Sequence, residues 1–122
     1  MTVTVVYPSP NVDNIVEFEI QVPSEGYSFI PKVLDYVWHE TQGDIKGTQI
    51  NRKRAEREPL RSAMVGDVFI VSGRYFIVDM AGFVEVDQGT YLRYLVIPEL
   101  DRLLGWDYAR TKNNIGLHIQ RL

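Results

Sequence analysis

The segment from Arg61 to Val86, RSAMVGDVFIVSGRYFIVDMAGFVEV, limits the possible folds of this chain more than any other stretch. Two β-rich runs, Asp67–Ser72 and Arg74–Met80, meet at Ser72-Gly73, a tight-hairpin signal in which Gly73 supplies a positive φ. Ala81-Gly82 then turns the chain into Phe83–Val86. Side chains on both faces of Val68–Val71 and Tyr75–Val78 are apolar, so the hairpin requires cover on each side. One helix can cover one face. The other needs the remaining strands or a partner.

The rest of the chain supplies part of that cover. Val3–Tyr7 alternates Val with Thr and reads as a strand; PSPNVDN is a turn built on Pro and Asn. Ile15–Val22 alternates Val16, Phe18, Ile20 and Val22 against Glu17, Glu19 and Gln21, the pattern of a half-buried strand hairpinned to the first. A helix is predicted over Ser28–Gln42, with Ser28 as N-cap and Pro31 in the first turn. It places Ile30, Val33, Leu34, Val37, Trp38 and Thr41 on one face, with Gly43 as its stop. Gly43–Leu60 is polar and aperiodic and reads as a long loop with at most one helical turn near KRAERE, exposed and mobile over Lys46–Leu60. TYLRYLVI is ambiguous between strand and helix, and its Tyr, Val and Ile favour a strand. PELDRLLG is a short helix started by Pro98 and ended by Gly105. WDYARTKNN reads as a loop and IGLHIQRL as a closing edge strand.

At 122 residues the chain fits a single domain, 1–122. Its 45% hydrophobic and 24% charged content is that of an ordinary globular protein. No run approaches the ~20 apolar residues of a membrane span, and the first residues lack the basic and apolar regions of a secretory signal. There is no cysteine, which excludes disulfides, a thiol nucleophile and thiolate metal ligands. The expected location is the cytoplasm. The net charge is −3, which argues against nucleic-acid binding by overall charge. The charge is unevenly spread: residues 46–61 hold six Lys or Arg against two Glu, whereas the preceding part is acidic.

The residues RSAMVGDVF…GRYFIVDMAGFVEV resemble a pattern, R-S-x-S-V-G-D-V followed by spaced glycines and G-F-x-x-V. It occurs in small uncharacterised proteins of actinobacterial phages and integrative elements, and in YodL-like modules of mobile-element polyproteins. Arg61, Ser62, Val65, Gly66, Asp67, Val68, Gly73, Val78, Gly82, Phe83 and Val86 stand at pattern positions; Met64 departs from it. Thr41-Gln42, after VLDYVWHE, matches the Thr-Gln that ends an upstream helix in such phage proteins. The resemblance spans Leu34–Val86. It implies a phage or mobile-element origin and carries no activity.

Motifs for chemistry are few. HETQG has Gly43 where H-E-x-x-H needs its second histidine, and His118 lies far off in sequence, so no metal site and no cofactor are expected. His39 reads as an exposed helix residue. Among the carboxylates, Asp67 reads as a cap on local backbone donors, and Asp79 as an outward group near a strand end. No nucleophile elbow, Walker A or G-x-G-x-x-G pattern is present. No catalytic residues are assigned and an enzyme is not expected.

These observations predict an α+β fold: a twisted, mostly antiparallel sheet or partly open small β-barrel with one main helix packed on it. The expected function is that of a non-enzymatic phage or mobile-element accessory protein that binds another protein, a host component being one candidate. Its predicted partner-binding residues are Lys46, Arg52, Lys53, Arg54, Arg57 and Arg61. The alternative is a small nucleic-acid-binding or regulatory module using the same basic segment, 46–61. Surplus apolar surface on the hairpin and in TYLRYLVI predicts a homodimer, with Tyr91 and Tyr94 as self-association residues.

Overall fold

The computed structural model describes residues 1–56, 60–116 and 118–122. These form six strands and five α-helices: β1 (Thr2–Tyr7), β2 (Val16–Gln21), α1 (Ile30–Glu40), α2 (Gln49–Glu56), β3 (Val68–Val71), β4 (Arg74–Val78), β5 (Phe83–Val86), α3 (Gln88–Tyr94), α4 (Glu99–Leu103), α5 (Trp106–Asn113) and β6 (Gln120–Arg121). The strands make one open sheet in the order β2-β1-β3-β4-β5-β6. Every neighbouring pair is antiparallel. The fold is therefore α+β with an unclosed sheet.

The central hairpin forms as its residues require. Val68 pairs with Ile77 and Val71 with Arg74, leaving Ser72 and Gly73 as a two-residue turn. Both have positive φ, 50° and 75°, the requirement of the type I′ turn whose twist matches that of the flanking strands.

Period-two alternation sends side chains to two separate cores. Val3, Val5, Tyr7, Phe18, Ile20, Phe69, Val71, Phe76, Val78 and Phe83 enter the first, which α1 closes with Val33, Leu34 and Val37. Val6, Val68, Ile77, Val84 and Val86 enter the second, closed by Tyr91, Tyr94, Ile97, Trp106, Ala109 and Ile115. Both faces of the hairpin are thus covered by the chain itself.

Several local expectations need correction. The main helix begins at Ile30, with Phe29 at the cap position and no side-chain cap bond, so Ser28 does not cap it. The segment read as a loop over 43–60 contains α2, eight residues long. Its one deeply buried apolar residue is Ile50; the remainder is held by polar contacts rather than by a periodic apolar face. Thr48 Oγ1 donates to the carbonyls of Gln42 and Ile45, and Asn51 Nδ2 donates to those of Gly43 and Ile45.

TYLRYLVI is not a strand. Asp87 caps α3 by accepting the amide of Thr90 at 2.8 Å, and Thr90, Tyr91 and Tyr94 share its buried side. WDYARTKNN is not a loop but α5, with Trp106 and Ala109 buried. Its first amide, that of Trp106, donates to Asp79 Oδ1 at 3.1 Å. Asp79 is consequently not an outward group: it ties β4 to α5 and pairs with Arg121. No helix among the described residues is long and apolar enough to cross a membrane.

Candidate functional site

The pattern residues Thr41, Gln42, Arg61, Ser62 and Asp67 assemble into one junction between α1 and β3. Ala63 donates its amide to the Thr41 carbonyl at 3.2 Å, and Gln42 Nε2 reaches the carbonyls of Trp38 and Ala63. Ser62 Oγ accepts the amide of Gly43 at 2.8 Å. The helix end Thr41-Gln42-Gly43 is thereby zipped to Arg61-Ser62-Ala63. The Ala63 amide and Gln42 Nε2 fill carbonyls, those of Thr41 and Trp38, that the end of a helix leaves open.

Asp67 closes the junction. It accepts from Arg61 through both oxygens, at 2.6 and 2.8 Å, and from the amide of Met64 at 2.8 Å. Burial pushes its carboxyl up from the ordinary value, with the Arg61 guanidinium pulling the other way. Arg61 itself is raised: burial works against its charge, but the hydrogen bond and charge of Asp67 outweigh it. Its guanidinium carbon lies 3.8 Å from the centroid of the Tyr7 ring. The Tyr7 hydroxyl donates to the Arg61 carbonyl at 2.6 Å.

Beside this junction α4 comes close to the backbone. Gly66, at φ +98°, has no room for a side chain, since a Cβ there would lie 2.8 Å from that of Arg102. This close approach brings Arg102 to a recess of about 340 Å³ bounded by Tyr7, Ser9, Arg61 and Glu99 among others. Arg102 is buried, and burial lowers its pKa. Sequence reasoning missed Arg102, Tyr7, Ser9 and Glu99. Arg102 sits in PELDRLLG as an ordinary helix charge, and Tyr7 reads as the end of a strand.

The predicted basic residues do not act as one surface. Lys46 and Arg52 are exposed, Lys53 is half-buried, and Arg52 is anchored on the Gly47 carbonyl at 2.7 Å. Arg54 folds inward, donating through Nε to the Leu60 carbonyl and lying against Gly43. Arg61 is committed to Asp67. Arg57 lies outside the described residues. The predicted self-association residues are also internal: Tyr91 and Tyr94 are buried in the second core, and the Tyr94 hydroxyl donates to the Gly66 carbonyl at 2.9 Å. The second face of the hairpin, bare in the homodimer expectation, is covered by Tyr91 and Tyr94 of α3 and Trp106 and Ala109 of α5.

Glu85 is also engaged structurally. Glu85 holds Arg74 through two bonds of 2.8 Å. The Arg74 bond holds its carboxyl below the usual range. His39 is exposed and contacts Glu40. His118 Nδ1 lies 3.4 Å from the indole nitrogen of Trp106. Comparison with protein-family models, curated proteins and solved structures finds no match.

Proposed function

We propose that this chain is a non-enzymatic accessory module that acts by binding another protein. The resemblance over Leu34–Val86 supports a phage or mobile-element setting, with the host cytoplasm as the place of action. The observation that carries the reading is an exposed apolar patch around α4. Leu100 and Leu104 stand one helical turn apart at 66% and 45% exposure. Met80 packs beside Gly105, next to Leu104, and is itself exposed. Met64, also exposed, shares a crevice with Leu103. Both faces of the sheet already have their cover, so these side chains are surplus to folding, and clustered apolar surface of this kind marks interaction sites. Arg61 and Arg102 line the neighbouring recess. The fitting partner is a protein surface apolar at its centre and acidic at one margin.

The test pairs binding with stability. Leu100→Asp with Leu104→Asp should abolish capture of a partner from host lysate while leaving the melting temperature unchanged. Retained capture would remove α4 from the interface. Lys46, Arg52 and Lys53 support the nucleic-acid alternative, for which a gel shift that weakens steeply with salt is the expected signature.

A further inference from the structure

Arg102 is 5% exposed, and among the described residues no carboxylate lies within ion-pair distance of it. Its terminal nitrogens donate to the carbonyls of Ile97 at 2.5 Å and Pro8 at 2.9 Å. Those carbonyls fix the plane of the guanidinium without cancelling its charge. Burying a charge in this way is costly unless something pairs with it. The contrast with Arg61 is direct, since that guanidinium, though more exposed, holds a bidentate carboxylate.

Arg102 also lines an open recess. On its walls the Ser9 hydroxyl accepts the Asn11 amide at 3.2 Å, and its O–H makes no bond among the described residues. Arg61 also lines the recess, with its charge already matched by Asp67. The one anionic side chain among the described lining residues is Glu99, exposed in the first turn of α4. We propose that this recess is a binding site for a small oxyanion, a carboxylate or a phosphate group, held by Arg102 with the Ser9 hydroxyl beside it. A guanidinium presents parallel N–H donors to two oxygens of either group. Glu99 weakens binding by repulsion.

Sodium phosphate and sodium acetate, titrated at constant ionic strength, provide the probes. The readout is the nitrogen-15 shift of Arg102 Nε and of the amides of Ser9 and Arg61. Saturable shifts are expected, and Arg102→Gln should abolish them. Because Arg102→Gln also removes the bonds to Ile97 and Pro8, Glu99→Gln is the second arm; it should tighten binding by roughly two- to tenfold through loss of a nearby like charge. Saturation by phosphate alone assigns a phosphate-bearing ligand, saturation by acetate alone a carboxylate, and saturation by both the shared chemistry. Shifts no larger than those from sodium chloride, or a Glu99→Gln affinity equal to that of the parent, would overturn the site. Either result leaves the Leu100–Leu104 interface standing, because that reading does not depend on anion binding.

Discussion

The two faces of the sheet are built by different means. The first is closed mainly by one long amphipathic helix, α1, whose Val33, Leu34 and Val37 are fully buried. The second is closed by three short helices of seven, five and eight residues, each with only two or three buried positions. A long helix declares itself through its period. Short helices around a large aromatic do not, since their stability comes from packing and from caps supplied elsewhere in the chain. Trp106 is the clearest case: its indole fills the second core, and the carboxylate that receives its amide belongs to Asp79 on the far side of the sheet's last turn.

The largest expected effect tests whether the second face carries as much of the stability as the first. Trp106→Ala and Phe69→Ala should each cost about 3–5 kcal/mol in denaturant melts. A Trp106→Ala loss below about 1 kcal/mol would make the three-helix cover an accessory to a one-face fold. Within the second face, Ile77 is fully buried and Ile70 only half-buried. Ile77→Ala should therefore cost about 2–4 kcal/mol and Ile70→Ala about half as much, and equal losses would contradict the packing described.

On the first face, the basic segment separates into docked and exposed residues. Arg54→Ala should lower stability by about 1 kcal/mol through the lost bond to the Leu60 carbonyl. Arg52→Ala should change it by less than about 0.5 kcal/mol. Equal effects in thermal melts would show that Arg54 is not docked.

The smallest effect lies in the pH dependence, and it sharpens the comparison. Glu85, on the first face, has a folded pKa below its ordinary 4.5. The unfolded chain therefore takes up the proton first, and the stability contributed by Glu85 declines as pH falls below that value. Glu85→Gln should flatten this acid limb. Asp67, raised by burial, acts with the opposite sign and partly offsets it. On the second face, burial raises Tyr91 to about 12 and Tyr94 as well. Their neutral forms are favoured in the folded state, so stability is lost as pH rises above the ordinary tyrosine value. Tyr94→Phe should reduce that alkaline slope in melts run across pH.

What could be read from sequence followed these differences. The central hairpin, α1 and the Pro98-started α4 were legible because turn residues and apolar periods act locally. Helix α2 was not, because Thr48 and Asn51 stabilise it by reaching carbonyls of the preceding segment rather than by burying a stripe. In α3, Asp87 was a legible N-cap and Thr90, Tyr91 and Tyr94 a legible helical face, but the β-propensity of Tyr, Val and Ile pointed the other way. That misreading left the hairpin's second face bare and produced the expectation of a dimer through Tyr91 and Tyr94. At the candidate site, Arg61 and Asp67 stood out in the sequence. Arg102 did not, because its importance comes from the approach of α4 to Gly66, a contact between elements far apart in the chain.

The strand order has a consequence for how the chain is made. β1 lies inside the sheet, yet the partner on its inner side is β3, with Val6 opposite Val68. During synthesis from the N-terminus, the β1–β2 hairpin must wait for more than half the chain before it gains its next neighbour. The sheet is then complete through β5 while α3, α4 and α5 are still unmade. For that interval Val6, Val68, Ile77, Val84 and Val86 face the cell without cover, and apolar surface exposed on a nascent chain favours aggregation. The time between emergence of Val86 and docking of Trp106 is the period in which a chaperone, or a slow ribosome, has most influence on the yield of folded protein.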